Sequence, residues 1–214
     1  ADTQTEGRGR LGRSWFSPAG RNIHLSLVLR PSVPTHQVPL LTLALAVAAV
    51  DAVEDQGIAA RLKWPNDLVV RVDGRRRKLA GIACEAVTQG QELAVVAGIG
   101  VNVNLPAVEL PADLRTIATS LQILLGHPVD RGALVARILE RTADLYANLQ
   151  RSGPQGILPS YRRRLETLGR RVTVDLGDRI VEGMAEDVGG GGELRVRRDD
   201  GVVETITAGD VGME

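Results

Sequence analysis

The chain has 214 residues, 43% of them hydrophobic, and its 26 basic and 26 acidic residues give a formal charge of zero at pH 7. That length can bury a sizeable core, and the balanced charge gives no basis for broad binding to nucleic acid or to a membrane surface. The single cysteine excludes an internal disulfide and favours a reducing compartment, the cytoplasm, and the three histidines lack the spacing of metal ligands.

The first distinctive segment is residues 7–13, Gly-Arg-Gly-Arg-Leu-Gly-Arg, here called the arginine loop. Its glycines let the backbone approach a ligand, and its arginines concentrate positive charge, so it is typical of a clamp for a phosphate-containing anion. The glycine spacing matches the dinucleotide motif G-x-G-x-x-G, but that motif must open a helix, and this loop leads into a strand. An arginine-glycine RNA segment would be longer, and a plain solvated loop would leave its arginines repelling one another.

A strand and a helix follow the loop. Residues 23–29 alternate apolar and polar side chains, which predicts a strand. Residues 34–56 predict a core helix, apolar nearly all round, with Thr35 as N-cap, Pro39 in the first turn and Gly57 as the stop. Its uninterrupted apolar run is too short to span a bilayer.

Residues 61–70 predict two strand pieces separated at Pro65, because proline cannot donate to a sheet ladder. Asn66 and Asp67 fall at that break, where side chains are exposed for function. The alternative is a local turn in which both residues only satisfy their own backbone.

A hairpin at Asp73-Gly74 predicts a return strand from Lys78 to Glu85, and after a turn at 89–91 a further strand spans residues 93–104. The glycines of this last strand indicate either close approach by a ligand or a bulge. Asn102 and Asn104 would share one face of it.

Only Lys63 and Lys78 are lysines among the 26 basic residues. Because arginine serves everywhere else, we infer that these two positions need a compact ammonium, as at a crowded carboxylate or phosphate. Accidental usage is the alternative.

The remainder of the chain predicts scaffold helices at 120–125, 130–150 and 154–168, with Asp130 capping the second. Composition then shifts to short alternating strands at 172–174, 180–188, 194–197 and 202–206. We therefore expect two domains, 1–168 and 169–214. The predicted fold is α+β, with a central mixed, mostly antiparallel sheet flanked by helices and then a small antiparallel barrel.

Four blocks in this order resemble the signature of the biotin protein ligases: Gln4 with residues 7–15, residues 63–67, residues 78–82 and residues 98–102. The terminal barrel resembles the SH3-like C-terminal domain of that family, and the resemblance covers nearly the whole chain. It implies the fold shared by class II synthetases and biotin and lipoyl ligases. The family's Ser-Thr-Asn block and the DNA-binding helix-turn-helix of some members are absent, so we expect residues missing before Ala1 and no binding of nucleic acid by this chain.

The resemblance implies that biotin and MgATP form biotinyl-5′-AMP, and that biotin then passes to one lysine of the biotin carboxyl carrier protein of a carboxylase. The implied catalytic residues are Lys78, Arg10 and Asp67. The implied biotin-binding residues are Gln4, Arg8, Gly9, Arg10 and Lys78. The implied nucleotide-binding residues are Arg13, Trp15, Lys63, Asn66, Asp67 and Asn102. Magnesium would arrive on ATP, with Asp67 as its one candidate protein contact.

Two other functions stay open at this point. One is a lipoate or octanoate ligase of related fold. The arginine loop and the Lys-Trp-Pro-Asn-Asp block favour biotin over this alternative. The other is a biotin sensor without catalysis. The sequence also leaves open whether the chain acts as a monomer or a homodimer.

Overall fold

The computed structural model describes residues 1–90 and 92–213. Five strands form the first sheet in the order β1-β5-β4-β3-β2, and all their ladders are antiparallel. They are β1 (Ile23–Leu29), β2 (Ala60–Lys63), β3 (Asp67–Val72), β4 (Arg75–Gln89) and β5 (Glu92–Val101). Isolated parallel bridges at Leu62–Leu165 and Lys78–Ala118 add to it, which confirms the mixed, mostly antiparallel sheet. Gln91 of the predicted 89–91 turn lies outside the described residues.

The helices are α1 (Leu40–Glu54), α2 (Leu121–Leu125), α3 (Arg131–Ser152) and α4 (Leu158–Arg164). Helix α1 is buried along nearly all its length, because it packs against the first sheet on one side and against α3 and α4 on the other. The stretch Thr35–Glu54 passes the length and apolarity required to cross a membrane, yet 72% of its apolar window is buried inside the protein. Core packing therefore accounts for its composition.

The predicted start of the first helix is wrong. Thr35–Gln37 form a separate 3-10 turn, and the α-helix begins at Leu40 with Pro39 in the N-cap position. Thr35 is the first residue of that short turn and lies five residues before Leu40, so it does not occupy the N-cap position of the α-helix. At the other end Gly57 has a φ of +82°, as its predicted role as a stop requires.

Helix α3 begins where predicted, with Asp130 Oδ1 accepting the N–H groups of Gly132 and Ala133. The predicted helix at 154–168 is shorter than expected. Its first residues form a 3-10 turn and α4 ends at Arg164. The chain turns away there because the N–H of Glu166 donates to the carbonyl of Leu62 on β2.

The second sheet is antiparallel, in the order β10-β6-β7-β8-β9, and is here called the C-terminal sheet. Its strands are β6 (Arg171–Asp175), β7 (Ile180–Val188), β8 (Leu194–Arg197), β9 (Val203–Ile206) and β10 (Asp210–Met213). The sequence missed β10, whose four residues include a glycine and carry no clear alternation.

Trp64 joins the two sheets. Its side chain is 1% exposed, and its Nε1 donates at 3.0 Å to the carbonyl of Gly192, in the turn between β7 and β8 of the C-terminal sheet. Its backbone N–H donates to Thr167 Oγ1, also at 3.0 Å. The residue after β2 is therefore held by both parts of the chain, which fixes the C-terminal sheet beside the first.

Candidate functional site

The arginine loop folds back on itself as a narrow turn. The N–H of Trp15 donates to the carbonyl of Gly7 at 2.8 Å, and the N–H of Gly9 donates to the carbonyl of Arg13 at 2.6 Å. Residues Arg10–Gly12 between them form a single 3-10 turn, so no α-helix opens here. A Cβ added to Gly7 would lie 2.5 Å from the carbonyl oxygen of Trp15, which is why the turn needs glycine there.

The loop places the indole of Trp15 on a floor of glycines. A Cβ added to Gly100 would lie 2.7 Å from this indole, and one added to Gly81 would lie 3.2 Å from it. The ladder of β5 runs without interruption past these positions on both neighbours, so the predicted alternative of a bulge in β5 is wrong. The glycines serve close approach, and in this structure the approaching group is an indole.

The break predicted at Pro65 is the tip of the hairpin between β2 and β3, and the Trp64–Pro65 peptide is cis. Asn66 lies at this tip. Its Nδ2 donates to the carbonyl of Ile82 at 2.8 Å, and its Oδ1 accepts Arg10 Nη1 at 3.2 Å. The side chain of Asn66 thus ties the arginine loop to β4, which excludes a purely local turn for this residue.

An irregularity in β4 sets the direction of the Lys78 side chain. Leu68 pairs with Ala80 but Val69 pairs with Lys78, so one extra residue of β4 bulges out between them. The bulge places Lys78 Nζ 2.6 Å from Asp67 Oδ1 and 5.4 Å from the centroid of the Trp15 ring. The ammonium therefore sits between a carboxylate and an aromatic face.

Two adjoining cavities meet beneath the arginine loop. The larger is about 490 Å³ and the smaller about 100 Å³. Both cavities are lined by Gly9, Arg10, Trp15, Asn66 and Lys78. Of the other residues assigned from the sequence, Arg13, Lys63, Asp67 and Asn102 line the larger cavity, and Gln4 and Arg8 line the smaller. The structure thus brings every sequence-assigned site residue to one connected space.

Positive charge dominates the larger cavity. Burial lowers the pKa of the Lys63 ammonium, although Asp67 acts in the opposite direction. Burial likewise lowers the pKa of the Arg10 guanidinium. A cation that has lost much of its water is stabilised by an incoming anion, so the arrangement favours a phosphate or carboxylate ligand.

The two asparagines after β5 do not behave as predicted. The strand ends at Val101, so Asn102 and Asn104 do not share a strand face. Asn102 is buried beside the larger cavity, and its Oδ1 accepts Asn22 Nδ2 at 3.3 Å. Asn104 turns away and exchanges two hydrogen bonds with the backbone of Val129, which anchors the following loop.

Sequence reasoning missed the contribution of the C-terminal sheet. Arg13 forms an ion pair with Asp210 on β10, and Arg10 Nη1 lies 3.5 Å from the carbonyl oxygen of Gly209. Arg76 donates to the carbonyl of Met213 at 2.8 Å. The remaining wall of the larger cavity comes from apolar side chains of the predicted loop 105–119. The apolar content of that loop was the available signal, whereas nothing local marked β10.

Comparison with known proteins agrees with this geometry. The biotin/lipoate A/B protein ligase family matches residues 1–102, and the biotin protein ligase C-terminal domain matches residues 167–213. A biotin–[acetyl-CoA-carboxylase] ligase of Mycobacterium tuberculosis is 35% identical over 217 residues, which cover 99% of this chain and 76% of that protein.

A second relative matches over a shorter length. The bifunctional ligase/repressor BirA of Bacillus subtilis is 40% identical over 141 residues, which cover 65% of this chain and 42% of that protein, so the match spans less than half of that relative. Among solved structures, biotin protein ligase from Aquifex aeolicus in complex with biotin and ATP gives a TM-score of 0.83 at 27% identity, covering 100% of this chain and 86% of that chain. That likeness confirms the predicted α+β fold. The chain belongs to the biotin protein ligases, within the biotin/lipoate A/B protein ligase family.

Proposed function

We propose that the protein is an ATP-dependent biotin–[biotin carboxyl carrier protein] ligase. One observation carries the proposal: Arg10 and Lys78 lie at the junction of two cavities, one large and cationic, the other small and floored by glycines. Such a junction suits an acyl phosphate. Its nucleotide half and its acyl half fit the two cavities, and the anionic phosphate that joins them lies at the junction.

In the first step a carboxylate oxygen of biotin attacks the α-phosphorus of ATP. The bond from that phosphorus to the bridging oxygen breaks, and its electron pair leaves with pyrophosphate. Both reactants are anions, so catalysis requires neutralisation and positioning rather than a protein nucleophile. Lys78 contacts both anions, Arg10 and Arg13 stabilise the phosphates, and Lys63 supplies further positive charge.

The nucleotide occupies the larger cavity. Trp15 and the apolar loop wall enclose the adenine, and Asn66 and Asn102 offer amide groups to the nucleotide. The acid occupies the smaller cavity, where Gln4, Arg8 and Gly9 contact biotin. Ligand pockets commonly measure about 300–1,000 Å³, so a cavity of about 100 Å³ must widen to hold biotin. Movement of the Trp15 indole off the glycine floor would provide that space.

Magnesium enters with ATP. Within residues 1–90 and 92–213, no three His, Cys, Asp or Glu side chains are grouped to hold a metal ion. Asp67 is paired with Lys78, and it is the protein carboxylate we assign to contact a nucleotide-borne magnesium ion.

The partner is the carrier protein or domain of a biotin-dependent carboxylase, and the setting is the cytoplasm. The free thiol of Cys84 is compatible with that compartment. We also propose that the catalytic domain spans 1–168 and the C-terminal domain 169–214. The change from helices to a second sheet at Arg171 supports this division.

The test is pyrophosphate exchange into ATP with biotin, lipoate or octanoate as the acid, followed by mass spectrometry of a carrier domain incubated with MgATP and the protein. We expect exchange with biotin only and a carrier mass increased by one biotinyl group. Exchange with lipoate instead would identify the related ligase. Biotin binding without any exchange would identify a sensor.

A further inference from the structure

One row of paired residues crosses the first sheet from edge to edge on the face that carries the site. The registers of the four ladders link its members, which are Lys63, Asp67, Gly81, Gly100 and His24. Residues directly opposite each other in antiparallel strands share one face of the sheet. The row therefore has a charged end on β2 and β3, a glycine floor on β4 and β5, and an imidazole on β1.

The imidazole of His24 is buried at the wall of the smaller cavity without a partner. His24 is 6% exposed, and neither ring nitrogen makes a hydrogen bond of normal geometry to the described residues. The large majority of buried polar side-chain atoms in native proteins are hydrogen-bonded. An unpaired imidazole at a cavity wall therefore points to a ligand that pairs with it.

The protonation state of His24 restricts the kind of ligand. Burial lowers the pKa of its imidazole below the ordinary value of 6.5, although the nearby backbone of Ala1 acts in the opposite direction. A neutral imidazole offers one N–H donor and one acceptor nitrogen. It therefore suits a neutral ligand group with hydrogen-bonding atoms, whereas the cations at the other end of the row suit an anion.

The spacing along the row fits an acid with a polar group at its far end. Lys78 Nζ lies over Gly81, where an added Cβ would be 3.2 Å from it. Two strand spacings, about 10 Å in all, separate Gly81 on β4 from His24 on β1. A carboxylate at Lys78 thus directs the rest of its molecule across the glycine floor toward the imidazole.

We propose that His24 binds the ureido group of biotin and selects biotin over acids with an apolar end, an inference that rests on the ligase activity proposed above. The ureido group carries N–H groups and a carbonyl oxygen, and either kind pairs with a neutral imidazole. Lipoate ends in a disulfide ring and octanoate in a methyl group. A site built to hydrogen-bond a polar group discriminates strongly against analogues that lack it, because its own buried polar atom stays unpaired.

Substitution of His24 tests the proposal through the choice of acid. His24→Leu removes the hydrogen bond, so in pyrophosphate exchange we expect the KM for biotin to rise at least tenfold and the KM for ATP to stay within twofold. Desthiobiotin, which keeps the ureido group but lacks the sulfur, should lose by a similar factor. The inhibition constant of octanoate against biotin should not rise, because octanoate makes no hydrogen bond to His24.

Two further variants complete the series. His24→Gln keeps a donor and an acceptor, so its KM for biotin should return to within threefold of wild type. His127→Leu, at an exposed histidine between α2 and α3, is the matched control and should leave every constant unchanged.

An unchanged KM for biotin in His24→Leu would overturn the proposal. Equal weakening of biotin and octanoate would also overturn it, since that result indicates a structural role, and so would a His24→Gln variant no better than His24→Leu. Calorimetric titration with biotin separates this contact from the ligase activity. If the wild-type protein binds biotin without catalysing exchange, the ligase activity fails, and tenfold weaker binding by His24→Leu still supports the contact. If biotin does not bind, both proposals fail.

Discussion

Lys78 and Asp67 meet at 2.6 Å although they belong to different strands and to different sequence blocks. The carboxylate holds the ammonium beneath the arginine loop. Because Asp67 balances the charge of Lys78, the lysine can be kept in a partly buried place at modest cost, ready for an anionic ligand.

Removing the ammonium tests this arrangement. Lys78→Ala should lower biotin-dependent pyrophosphate exchange at least tenfold, because a charge-assisted hydrogen bond contributes about 1.5–3 kcal/mol and about 1.4 kcal/mol is a factor of ten. Lys78→Arg should also lose activity, since a planar guanidinium does not fit between Asp67 and the indole of Trp15. The exposed Arg151→Ala is the control, and near-normal exchange by Lys78→Ala would reject its role.

Arg10 is the residue that holds the arginine loop closed. It contacts Asn66 and the Gly209 carbonyl, so Arg10→Gly should leave the adenylate poorly enclosed. We expect this variant to release biotinyl-AMP and to biotinylate lysines of bystander proteins such as serum albumin. Labelling confined to the carrier domain would argue against a clamp.

The glycine floor predicts a steric effect. Gly100→Ala places a Cβ 2.7 Å from the Trp15 indole, so the ring must shift. We expect altered tryptophan fluorescence and at least a tenfold higher KM for biotin, because the added methyl group narrows the smaller cavity, which Gly100 lines. The shifted indole also lines the larger cavity, so the KM for ATP should rise as well, but less. Gly190→Ala, whose added Cβ would meet no atom within 4 Å, is the control. Equal effects on both substrates would contradict separate cavities.

The Arg13–Asp210 pair links the loop to β10, and both side chains are largely exposed, at 61% and 44%. Exposed pairs contribute about 0–1 kcal/mol and are screened by salt. Asp210→Asn should therefore raise the KM for ATP no more than about fivefold, and the difference from wild type should disappear in 0.5 M NaCl. A loss of activity that persists in high salt would mean that Asp210 does more than hold the loop.

Tyr161 predicts a loss of stability at alkaline pH. Burial raises the pKa of its hydroxyl above the ordinary value of 10.0, so above that pH the unfolded chain loses the proton and the folded chain keeps it. Stability then falls by up to about 1.4 kcal/mol per pH unit. Urea unfolding at pH 9 and pH 11 should show a smaller loss for Tyr161→Phe than for wild type or for Tyr146→Phe. Equal losses in all three would rule out Tyr161 as the cause.

The elements that the sequence predicted well depend on local rules. The Asp73-Gly74 hairpin has positive φ at both residues, and Asp130 caps α3, because both structures are specified by neighbours in the chain. The apolar pattern around α1 indicated burial, but its first turn could not be placed from Thr35, since two prolines nearby decide where helical hydrogen bonding begins.

The sequence predicted which residues form the site but not how they are arranged in space. Glycines and lone lysines marked positions that need a special backbone or a compact charge, and those positions do converge. The bulge that aims Lys78, and the approach of β10 to Arg13, depend on contacts between residues far apart in sequence. The predicted shared face of Asn102 and Asn104 was wrong, because the strand ends at Val101 and the side chain of Asn104 bonds the backbone of Val129.

Helix α1 has an implication for dissecting the protein. The segment shared with the biotin/lipoate ligase family ends at residue 102, before α3 and α4, yet those two helices cover the outer side of α1. A piece cut at that boundary would present a bare stripe of leucine and valine to water and would aggregate instead of folding. The segment that matches the family is therefore shorter than the segment that can fold independently.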